Sequence, residues 1–253
     1  MKEMTKILVI VPAYNEAAGI AETIGEIREK APGTDILVVN DGSGDGTGRV
    51  LERLGQMHLD HCLNLGIGGA VQSGYKYAER AGYEYAVQID GDGQHDPAYI
   101  MEMIAWMQDN GIDMGIGSRF LEYQGFQSSL MRRAGIRFLS GLVYLSCGVH
   151  IHDVTSGFRI VNRRFIRLFA ADYSDDFPET DSIPRVVRCG GKVAEYPVVM
   201  RERMTGKSSI DLGKSMYYMV KVSLAVLMNS FILRKPADSF YGQADGDKDD
   251  IEA

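Results

Sequence analysis

The chain has 253 residues, 45% hydrophobic and 24% charged, a composition typical of a globular protein with one sizeable α/β core. A net charge of −7 and a pI near 5.3 argue against a general nucleic-acid binder. Three cysteines without metal-ligand spacing argue against a disulfide framework, and the apolar run near the N-terminus is too short for a signal peptide, so a cytoplasmic protein is expected.

Strands and helices alternate over the first 118 residues. The predicted strands are apolar runs, typical of parallel strands buried on both faces, at residues 7–11, 36–39, 85–89 and 113–118. Asn15 and Glu16 open the first helix, and Pro97 marks the start of a later one. This alternation predicts an α/β fold with a doubly wound, mostly parallel sheet that binds ligands at the carboxyl ends of its strands.

The second half of the chain follows a different pattern. Residues 130–147 are predicted to form an apolar helix with arginines at one end, and residues 192–199 resemble a strand. Residues 1–118 are acidic overall, whereas residues 119–235 are basic. The asymmetry indicates that an anionic ligand is held at the junction, and the alternative is a solvated basic face.

The run Asp90-Gly-Asp-Gly-Gln94, after the third predicted strand, is the sharpest feature of the sequence. Two carboxylates one residue apart can present oxygen atoms to one hard cation and leave room for phosphate oxygens. A Mg²⁺ or Mn²⁺ ion there would neutralise the charge of a departing diphosphate. The alternative is a plain Asp-Gly turn, and an EF-hand loop is excluded because Met101 stands where the bidentate Glu belongs.

Glycine-rich segments also follow the second strand. Asp41 at the end of this strand is well placed for ribose hydroxyls or a base edge, and the nearby glycines allow a sharp turn. These glycines lack the dinucleotide-binding spacing, because Thr47 takes the sixth position. Gly66 and Gly68 miss that spacing as well, and they predict tight packing of a helix on the sheet.

Several motifs in chain order carry a family resemblance: Val11-Pro-Ala-Tyr-Asn-Glu16, Val39-Asn-Asp-Gly-Ser43 with Asp45-Gly-Thr47, Asp90-Gly-Asp-Gly-Gln-His-Asp-Pro97, Gly117-Ser-Arg-Phe120, Asp153-Val-Thr-Ser-Gly-Phe-Arg159 and Arg203-Met-Thr-Gly-Lys-Ser-Ser209. They resemble glycosyltransferase family 2, and within it the dolichyl- and polyprenyl-phosphate mannosyl- or glucosyltransferases. The matches cover about residues 7–210. The resemblance implies the GT-A fold, a Rossmann-like domain that binds a nucleotide-sugar.

The resemblance also implies roles for individual residues. A nucleoside-binding group would comprise Pro12, Tyr14, Glu16, Val39 and Asp41. A diphosphate-binding group would comprise Asp90, Gly91 and Asp92. With Mg²⁺ or Mn²⁺ as cofactor, Asp92 and Gln94 would be the best metal ligands and Asp90 a third.

Three basic residues are implied to contact phosphates of the donor or the acceptor, namely Arg119, Arg203 and Lys207. The chemistry agrees, because arginine binds phosphate bidentately and lysine acts as a point charge. For Arg203 and Lys207 the alternative is a solvated loop.

The segment 211–235 departs from the family, many members of which carry transmembrane helices after the catalytic domain. Lys221 and Asn229 interrupt its apolar stretch, and a span needs ~20 largely uncharged residues. An apolar face from Tyr217 to Phe231 predicts an interfacial amphipathic helix, and the alternative is a helix packed on the protein's own core. A lipid acceptor would be reached from the inner membrane surface or through a separate small integral membrane protein.

With these observations, the resemblance implies a metal-dependent, inverting glycosyltransferase that moves one sugar from a GDP- or UDP-linked donor to a polyprenyl phosphate. Its parts would be a nucleotide-sugar-binding half (1–120), an acceptor-binding half (121–210), the amphipathic helix (211–235) and a disordered acidic tail (236–253). Two alternatives stay open: transfer to a hydroxyl of a cell-surface glycan, and a nucleotide-sugar-binding scaffold without turnover.

Asp92 is the predicted catalytic carboxylate, acting through the metal. A phosphate acceptor is largely ionised at neutral pH, so it needs positioning more than deprotonation. A hydroxyl acceptor would need a base, and Asp153, Glu179 and Asp181 are candidates among which the sequence does not choose. The enzyme would be cytoplasmic and peripherally associated with the membrane, with no nucleic-acid partner.

Overall fold

The computed structural model describes residues 5–122 and 130–201, apart from the side chains of residues 130–132. The strands found there are β1 (Ile7–Ala13), β2 (Asp35–Asn40), β3 (His58–Asp60), β4 (Tyr85–Gln88), β5 (Met114–Ser118), β6 (Arg159–Asn162) and β7 (Val193–Pro197). They form one sheet in the order β3-β2-β1-β4-β6-β5-β7. β6 is antiparallel to both of its neighbours, and the other pairs are parallel.

Helices cover both faces of this sheet. Those in the described residues are α1 (Ile20–Lys30), α2 (Thr47–Leu54), α3 (Gly66–Ala81), α4 (Tyr99–Asn110), α5 (Leu130–Cys147), α6 (Arg163–Ala171) and α7 (Pro178–Arg188). Leu8 and Ile10 of β1 pack with α3, α5, α6 and α7, whereas Val9 and Val11 pack with α1, α2 and α4. Burial on both faces explains why β1 is a continuous apolar run. The predicted doubly wound, mostly parallel α/β sheet is confirmed.

The first helix begins later than predicted. α1 starts at Ile20 and not at Asn15 or Glu16, because Asn15 has a left-handed backbone conformation with φ of 58°. The backbone N–H groups of residues 15–17 donate to side chains of the β2–α2 loop and of Thr47, the first residue of α2, so they are not part of a helix. The chain therefore forms a loop at the end of β1.

The glycines of α3 pack differently from the prediction. A Cβ atom on Gly68 would collide with the backbone of Ser174 and Asp175, so this glycine packs against a loop and not against the sheet. The close contact of α3 with the sheet is at Gly74, where a Cβ atom would collide with Ile10 of β1. Helix–sheet packing is tight as predicted, but a different glycine permits it.

Some predictions concern residues beyond the described ranges. Arg203, Lys207, the helix 211–235 and the tail 236–253 lie outside them. Within the described part of the chain, no helix is both long and apolar enough to cross a membrane. β6 and β7 belong to the predicted acceptor half yet pair with β4 and β5, and the division at residue 120 stays a prediction.

Candidate active site

The carboxyl ends of β1, β2 and β4 lie at one edge of the sheet. β2 and β4 pair with β1 from opposite sides, so the strand order reverses at this point, where open α/β sheets bind their ligands. Tyr14 and Asp41 directly follow β1 and β2, and Asp90 lies two residues beyond β4. The fold thus brings residues of the predicted nucleoside and diphosphate groups to one edge.

The two carboxylates after β4 have different surroundings. Asp92 is only 4% exposed, and its Oδ1 accepts a hydrogen bond of 3.0 Å from the Gln94 N–H. The Asp90 side chain is 36% exposed and lies against the loop before β6, where a Cβ atom on Gly157 would sit 2.8 Å from Asp90 Oδ2. The Asp92 carboxylate is therefore held by its own turn, and the Asp90 carboxylate is partly open to solvent.

Gly91, between these carboxylates, is enclosed by β1 and α1. A Cβ atom there would lie 3.3 Å from the Pro12 carbonyl oxygen, and the Gly91 carbonyl accepts a 3.2 Å hydrogen bond from Thr23 Oγ1. A larger residue would push the acidic turn away from the end of β1. Glycine at this position keeps the predicted diphosphate group close to the predicted nucleoside group.

His95 completes the acidic turn, although no role was predicted for it beyond its place in the motif. Its Nδ1 accepts a 3.3 Å hydrogen bond from the Asp90 N–H, so Nε2 carries the proton in the neutral ring. Nε2 faces Asp90 Oδ2 at 3.9 Å, and the ring stacks on Phe158 at 5.5 Å between centroids. His95 is 4% exposed and holds Asp90 from inside the protein.

Gln94, a predicted metal ligand, is fastened to Arg201. Its Nε2 donates to the Arg201 carbonyl at 3.3 Å, and the Arg201 N–H donates to the Gln94 carbonyl at 3.0 Å. Because the amide nitrogen is engaged, the side-chain oxygen of Gln94 is the atom left for a ligand. Partners of this kind commonly orient groups that bind metals.

The Arg201 side chain secures this arrangement by ion pairs with Glu26 and Asp96 at 2.8 and 2.6 Å. The hydrogen bond to Glu26 is the main reason that the pKa of Arg201 is raised. Burial alone would raise the pKa of Asp96, but hydrogen bonds from the Ala98 N–H, Arg201 and Lys30 outweigh it and hold that pKa below its ordinary value. Arg201 and Asp96 are thus both charged at neutral pH.

The donor set of the acidic turn suits a hard divalent cation. Mg²⁺ and Mn²⁺ prefer oxygen ligands, and Mg²⁺ is usually bound by one or two carboxylates together with substrate phosphates. In the predicted metal site, Asp90 and Asp92 would supply carboxylates and Gln94 an amide oxygen. Within the described residues, no group of three or more His, Cys, Asp and Glu side chains is arranged to hold a metal ion.

The loops after β1 and β2 are joined by hydrogen bonds. The N–H groups of Asn15, Glu16 and Ala17 donate to Ser43 Oγ, Thr47 Oγ1 and Asp45 Oδ2 at 2.9, 3.0 and 3.0 Å. In return, Asn15 Oδ1 accepts a 2.9 Å hydrogen bond from the Gly44 N–H. The two loops therefore form one hydrogen-bonded wall at the ligand edge.

The predicted nucleoside residues differ in exposure along this wall. Tyr14 is 52% exposed and Glu16 is half-buried, so both side chains can reach a ligand. Pro12 is buried, and the Val39 side chain lies in the core, which leaves its main chain as the part that can contact a nucleoside.

Asp41 is buried and binds groups of the protein itself. Its Oδ1 accepts from the Leu65 N–H at 2.8 Å and is 2.7 Å from His61 Nδ1, and its Oδ2 accepts from the Gly66 N–H at 2.9 Å. A carboxylate at this position stabilises the N-terminus of α3. Its contact with a nucleoside stays a prediction.

Arg119, predicted to contact phosphate, forms a bidentate ion pair with Asp153, a predicted base. Arg119 Nε and Nη2 donate to Asp153 Oδ2 and Oδ1, both at 2.7 Å. Asp153 is completely buried, and its N–H donates to Glu195 Oε1 at 2.8 Å. The base role of Asp153 stays a prediction, and this geometry favours a bracing role.

The other candidate bases are at the start of α7. Burial raises the pKa of Glu179, the nearby charge of Arg159 opposes this rise, and Asp90 adds to it. Asp181 is buried, and its Oδ2 is 3.9 Å from Arg185 Nη1. Of these two candidates, Glu179 is thus the one whose pKa is raised in part by a carboxylate of the acidic turn, that of Asp90.

A basic cavity of about 290 Å³ lies between α5 and the loop before β6. Its lining comprises Phe120, Arg133, Ile136, Arg137, Ser140, Gly141, His150 and His152. It adjoins the Arg119–Asp153 pair through the neighbouring residues Phe120 and His152. The sequence showed the arginines of α5 but not the histidines that face them, because the two sets belong to different elements.

This fold and site define an α/β protein that binds its ligands at the carboxyl ends of a doubly wound sheet. Residues 8–169 match the model for glycosyl transferase family 2, so the chain belongs to that family, and it is a glycosyltransferase. The chain is 31% identical over 226 residues to polyprenol monophosphomannose synthase of Mycolicibacterium smegmatis, with 85% of each chain covered. It is 29% identical over 218 residues to undecaprenyl-phosphate mannosyltransferase of Micrococcus luteus, with 82% of this chain and 88% of the relative covered.

Solved structures agree on the fold. Glucosyl-3-phosphoglycerate synthase from Mycobacterium tuberculosis, crystallised with Mn²⁺ and UDP, matches with a TM-score of 0.64 at 18% identity, over 90% of this chain and 81% of that chain. Mannosyl-3-phosphoglycerate synthase from Rubrobacter xylanophilus matches with a TM-score of 0.63 at 18% identity, over 94% and 80%. At this identity the likeness shows the fold alone, and the predicted GT-A fold is confirmed.

Proposed function

We propose that this glycosyltransferase moves one sugar, with inversion, from a GDP- or UDP-linked donor to a polyprenyl phosphate. The observation that carries the proposal is the placement of the acidic turn Asp90–Gln94 at the strand reversal, with the basic cavity of α5 beyond the Arg119–Asp153 pair. The names of the two relatives support the acceptor, since both contain a polyprenol or polyprenyl phosphate.

The donor would bind along the wall formed by the loops after β1 and β2. Its diphosphate would then meet the acidic turn, where Asp90, Asp92 and the Gln94 oxygen would hold Mg²⁺ or Mn²⁺. Such an ion would neutralise the negative charge that builds on the diphosphate as it leaves. Mn²⁺ in the M. tuberculosis structure supports a divalent metal in this fold.

The acceptor phosphate would occupy the basic cavity. Two arginines and two histidines line it, and arginine binds phosphate bidentately. A phosphate monoester has a second pKa of ~6, so it reaches the anomeric carbon already ionised. One phosphate oxygen forms the new bond to this carbon while the bond to the diphosphate oxygen breaks, and no protein base is needed.

A lipid acceptor requires access from a membrane surface, and α5 supports this. Phe138, Tyr144 and Leu145 are exposed on α5, with Arg137 beside them, whereas Ile136 and Leu139 face the core. Exposed apolar residues next to a basic side chain are typical of helices that lie at a bilayer surface. We place the enzyme at the inner membrane surface, and the names of the relatives give no support to a separate membrane partner.

Transfer to a hydroxyl is the second candidate, and the raised pKa of Glu179 favours it, because a hydroxyl acceptor needs a base. An assay of the purified protein with polyprenyl phosphate and with glycan acceptors separates the two. Sugar on the lipid alone supports the proposal, and sugar on the glycan alone overturns it. A scaffold without turnover would show neither, and it would not hydrolyse the donor even slowly.

The donor itself can be identified by thermal shift. A ligand that binds only the folded state stabilises it more when it binds more tightly, so GDP- and UDP-linked sugars tested with Mn²⁺ at equal concentration should rank by melting temperature. We expect one nucleotide to be preferred, and we expect EDTA to remove its effect. Equal shifts with and without EDTA would contradict the metal role.

A further inference from the structure

The loop of residues 153–157, before β6, touches the acidic turn. A Cβ atom on Gly157 would lie 2.8 and 2.9 Å from the two carboxylate oxygens of Asp90, a distance that real Cβ atoms essentially never show. Gly157 is therefore in close contact with this carboxylate. Any shift of the loop backbone would change the space in which Asp90 can turn.

Arg159 holds this loop from inside the protein. Its Nε donates to the Ser156 carbonyl at 2.8 Å and its Nη2 to the Val154 carbonyl at 3.0 Å. Its Nη1 donates to Ser182 Oγ of α7 at 2.7 Å. All three nitrogens of a planar guanidinium are thus engaged, two of them by the loop that carries Gly157.

The position of Arg159 is unusual for a charged side chain. It is completely buried and lies opposite Gln88 in the pairing of β4 with β6. Gln88 is fully buried too, and its amide lies near Glu179 although neither of its polar atoms completes a hydrogen bond with the described residues. Taking a charge out of water is costly, and well-packed apolar residues often serve stability as well as buried charged ones, so stability alone is a weak explanation for Arg159.

We propose that Arg159 is a positioning residue for Asp90. It fixes the backbone of residues 154–157, and Gly157 then fixes the carboxylate of Asp90 for the metal and the donor diphosphate. The inference rests on the proposed function, since it takes Asp90 as a metal-binding carboxylate. It adds a residue that touches neither substrate nor metal and acts only through the loop.

Two variants test this chain of contacts at different points. Arg159→Lys keeps the charge but loses the fork that reaches two carbonyls at once. Gly157→Ala leaves Arg159 intact and places a methyl group against Asp90. The first matched control is Arg28→Lys, because Arg28 of α1 donates to Gln56 Oε1, just before β3, at 2.9 Å. The second is Gly25→Ala on the exposed side of α1, where a Cβ atom meets nothing within 4 Å.

The first readout is Mn²⁺ binding, followed by the electron paramagnetic resonance signal of the free ion in the presence of UDP or GDP. Loss of an outer partner of a metal ligand weakens metal affinity or activity by about 10- to 100-fold. We expect both test variants to bind Mn²⁺ at least ~10-fold more weakly and to lose kcat with little change in acceptor KM. The two controls should match the parent in both measurements.

Parent-like Mn²⁺ affinity in a folded Arg159→Lys variant would overturn the inference while the proposed function stands. If that variant does not fold, Gly157→Ala decides, and parent-like Mn²⁺ affinity there overturns the inference equally. A parent chain that binds neither Mn²⁺ nor a nucleotide-sugar overturns the proposed function and the inference together. Weaker Mn²⁺ binding in the test variants beside unchanged controls supports both.

Discussion

Arg119 and Asp153 show how a predicted site residue can have a bracing role. Their two hydrogen bonds of 2.7 Å are enclosed, with Asp153 completely buried. Removing one partner of a buried pair costs about 3–5 kcal/mol, because the remaining charge is left uncompensated. The pair therefore fastens the end of β5 to the loop before β6, next to two residues that line the basic cavity.

Asp153→Asn should destabilise the protein. It keeps the shape of the side chain but removes the charge that Arg119 needs, so the free energy of unfolding should fall by about 3–5 kcal/mol in urea denaturation. The control is Asp172→Asn, which breaks the pair of an exposed carboxylate with Arg185 and should cost at most ~1 kcal/mol. An Asp153→Asn variant as stable as the parent but inactive would favour the base role instead.

At the same scale, the sequence predicted some site residues and missed others for a physical reason. Asp90 and Asp92 stand together directly after an apolar run, so their meeting depends on local structure alone. The partnership of Gln94 with Arg201 joins residues 107 positions apart and depends on the whole fold. The contact of Gly157 with Asp90 depends likewise on the pairing of β4 with β6.

At the scale of elements, the loops after β1 and β2 form a wall through side-chain hydrogen bonds. Burial alone would raise the pKa of Asp45, but hydrogen bonds from the Thr47 hydroxyl and from the N–H groups of Ala17 and Thr47 hold it below its ordinary value. Asp45 is therefore ionised at neutral pH and binds both loops. This wall is the part of the site that we expect to orient the nucleoside.

Asp45→Ala should weaken donor binding more than it weakens chemistry. Without the carboxylate, the loop after β1 loses the acceptor for the Ala17 N–H, and the wall should become less ordered. We expect a higher donor KM and a smaller thermal shift with the preferred nucleotide-sugar, with kcat less affected. Glu52→Ala on the exposed side of α2 is the control, and an equal donor KM in the two variants would contradict the role of the wall.

The ion pair of Arg201 with Asp96 gives a pH-dependent prediction. Because the pKa of Asp96 is lowered in the folded state, its contribution to stability is present above the ordinary carboxyl pKa of about 3.9 and is lost as pH falls through the folded value. The difference in unfolding free energy between the parent and Asp96→Asn should therefore shrink below about pH 4. A difference that stays constant from pH 6 to pH 3, from roughly two units above the carboxyl pKa to one unit below it, would contradict this.

The elements that the sequence did not predict lack a regular hydrophobic pattern. β6 has four residues, and the first of them is the buried Arg159, so no apolar run announces a strand. α7 begins at Pro178 and contains Pro184, which weakens its helical pattern. The longer and more regular elements β1, β2 and α5 were predicted well, because hydrophobic periodicity is the main sequence signal for secondary structure.

At the scale of the whole molecule, the proposed function requires the basic cavity to lie close to a membrane. Replacing Phe138 and Leu145 of α5 by glutamate should reduce flotation with anionic liposomes at low salt, because it removes apolar contact and adds like charge. Transfer to a short, water-soluble polyprenyl phosphate should be affected less. Met101→Glu on α4, also exposed, is the control on the other face of the sheet.

Deleting residues 211–253 tests the segment that lies outside the described residues. We expect the truncated chain to keep donor hydrolysis and to lose transfer to a long lipid. If the full chain and the α5 variant float equally well, α5 does not contact the bilayer. If neither the full chain nor the truncated one floats at low salt, and the truncated chain still glycosylates a long polyprenyl phosphate, the membrane role of the segment is contradicted.

The most direct test of the central claim is transfer of a labelled sugar from its nucleotide to a polyprenyl phosphate by the purified protein. The parent with Mn²⁺ should place the label on the lipid, and EDTA or Asp92→Ala should reduce the rate at least ~100-fold, since a lost metal ligand removes several kcal/mol of charge stabilisation. Asp109→Ala, an exposed aspartate on α4, should behave as the parent. Equal labelling of the lipid by the parent, by Asp92→Ala and in the presence of EDTA would contradict the account.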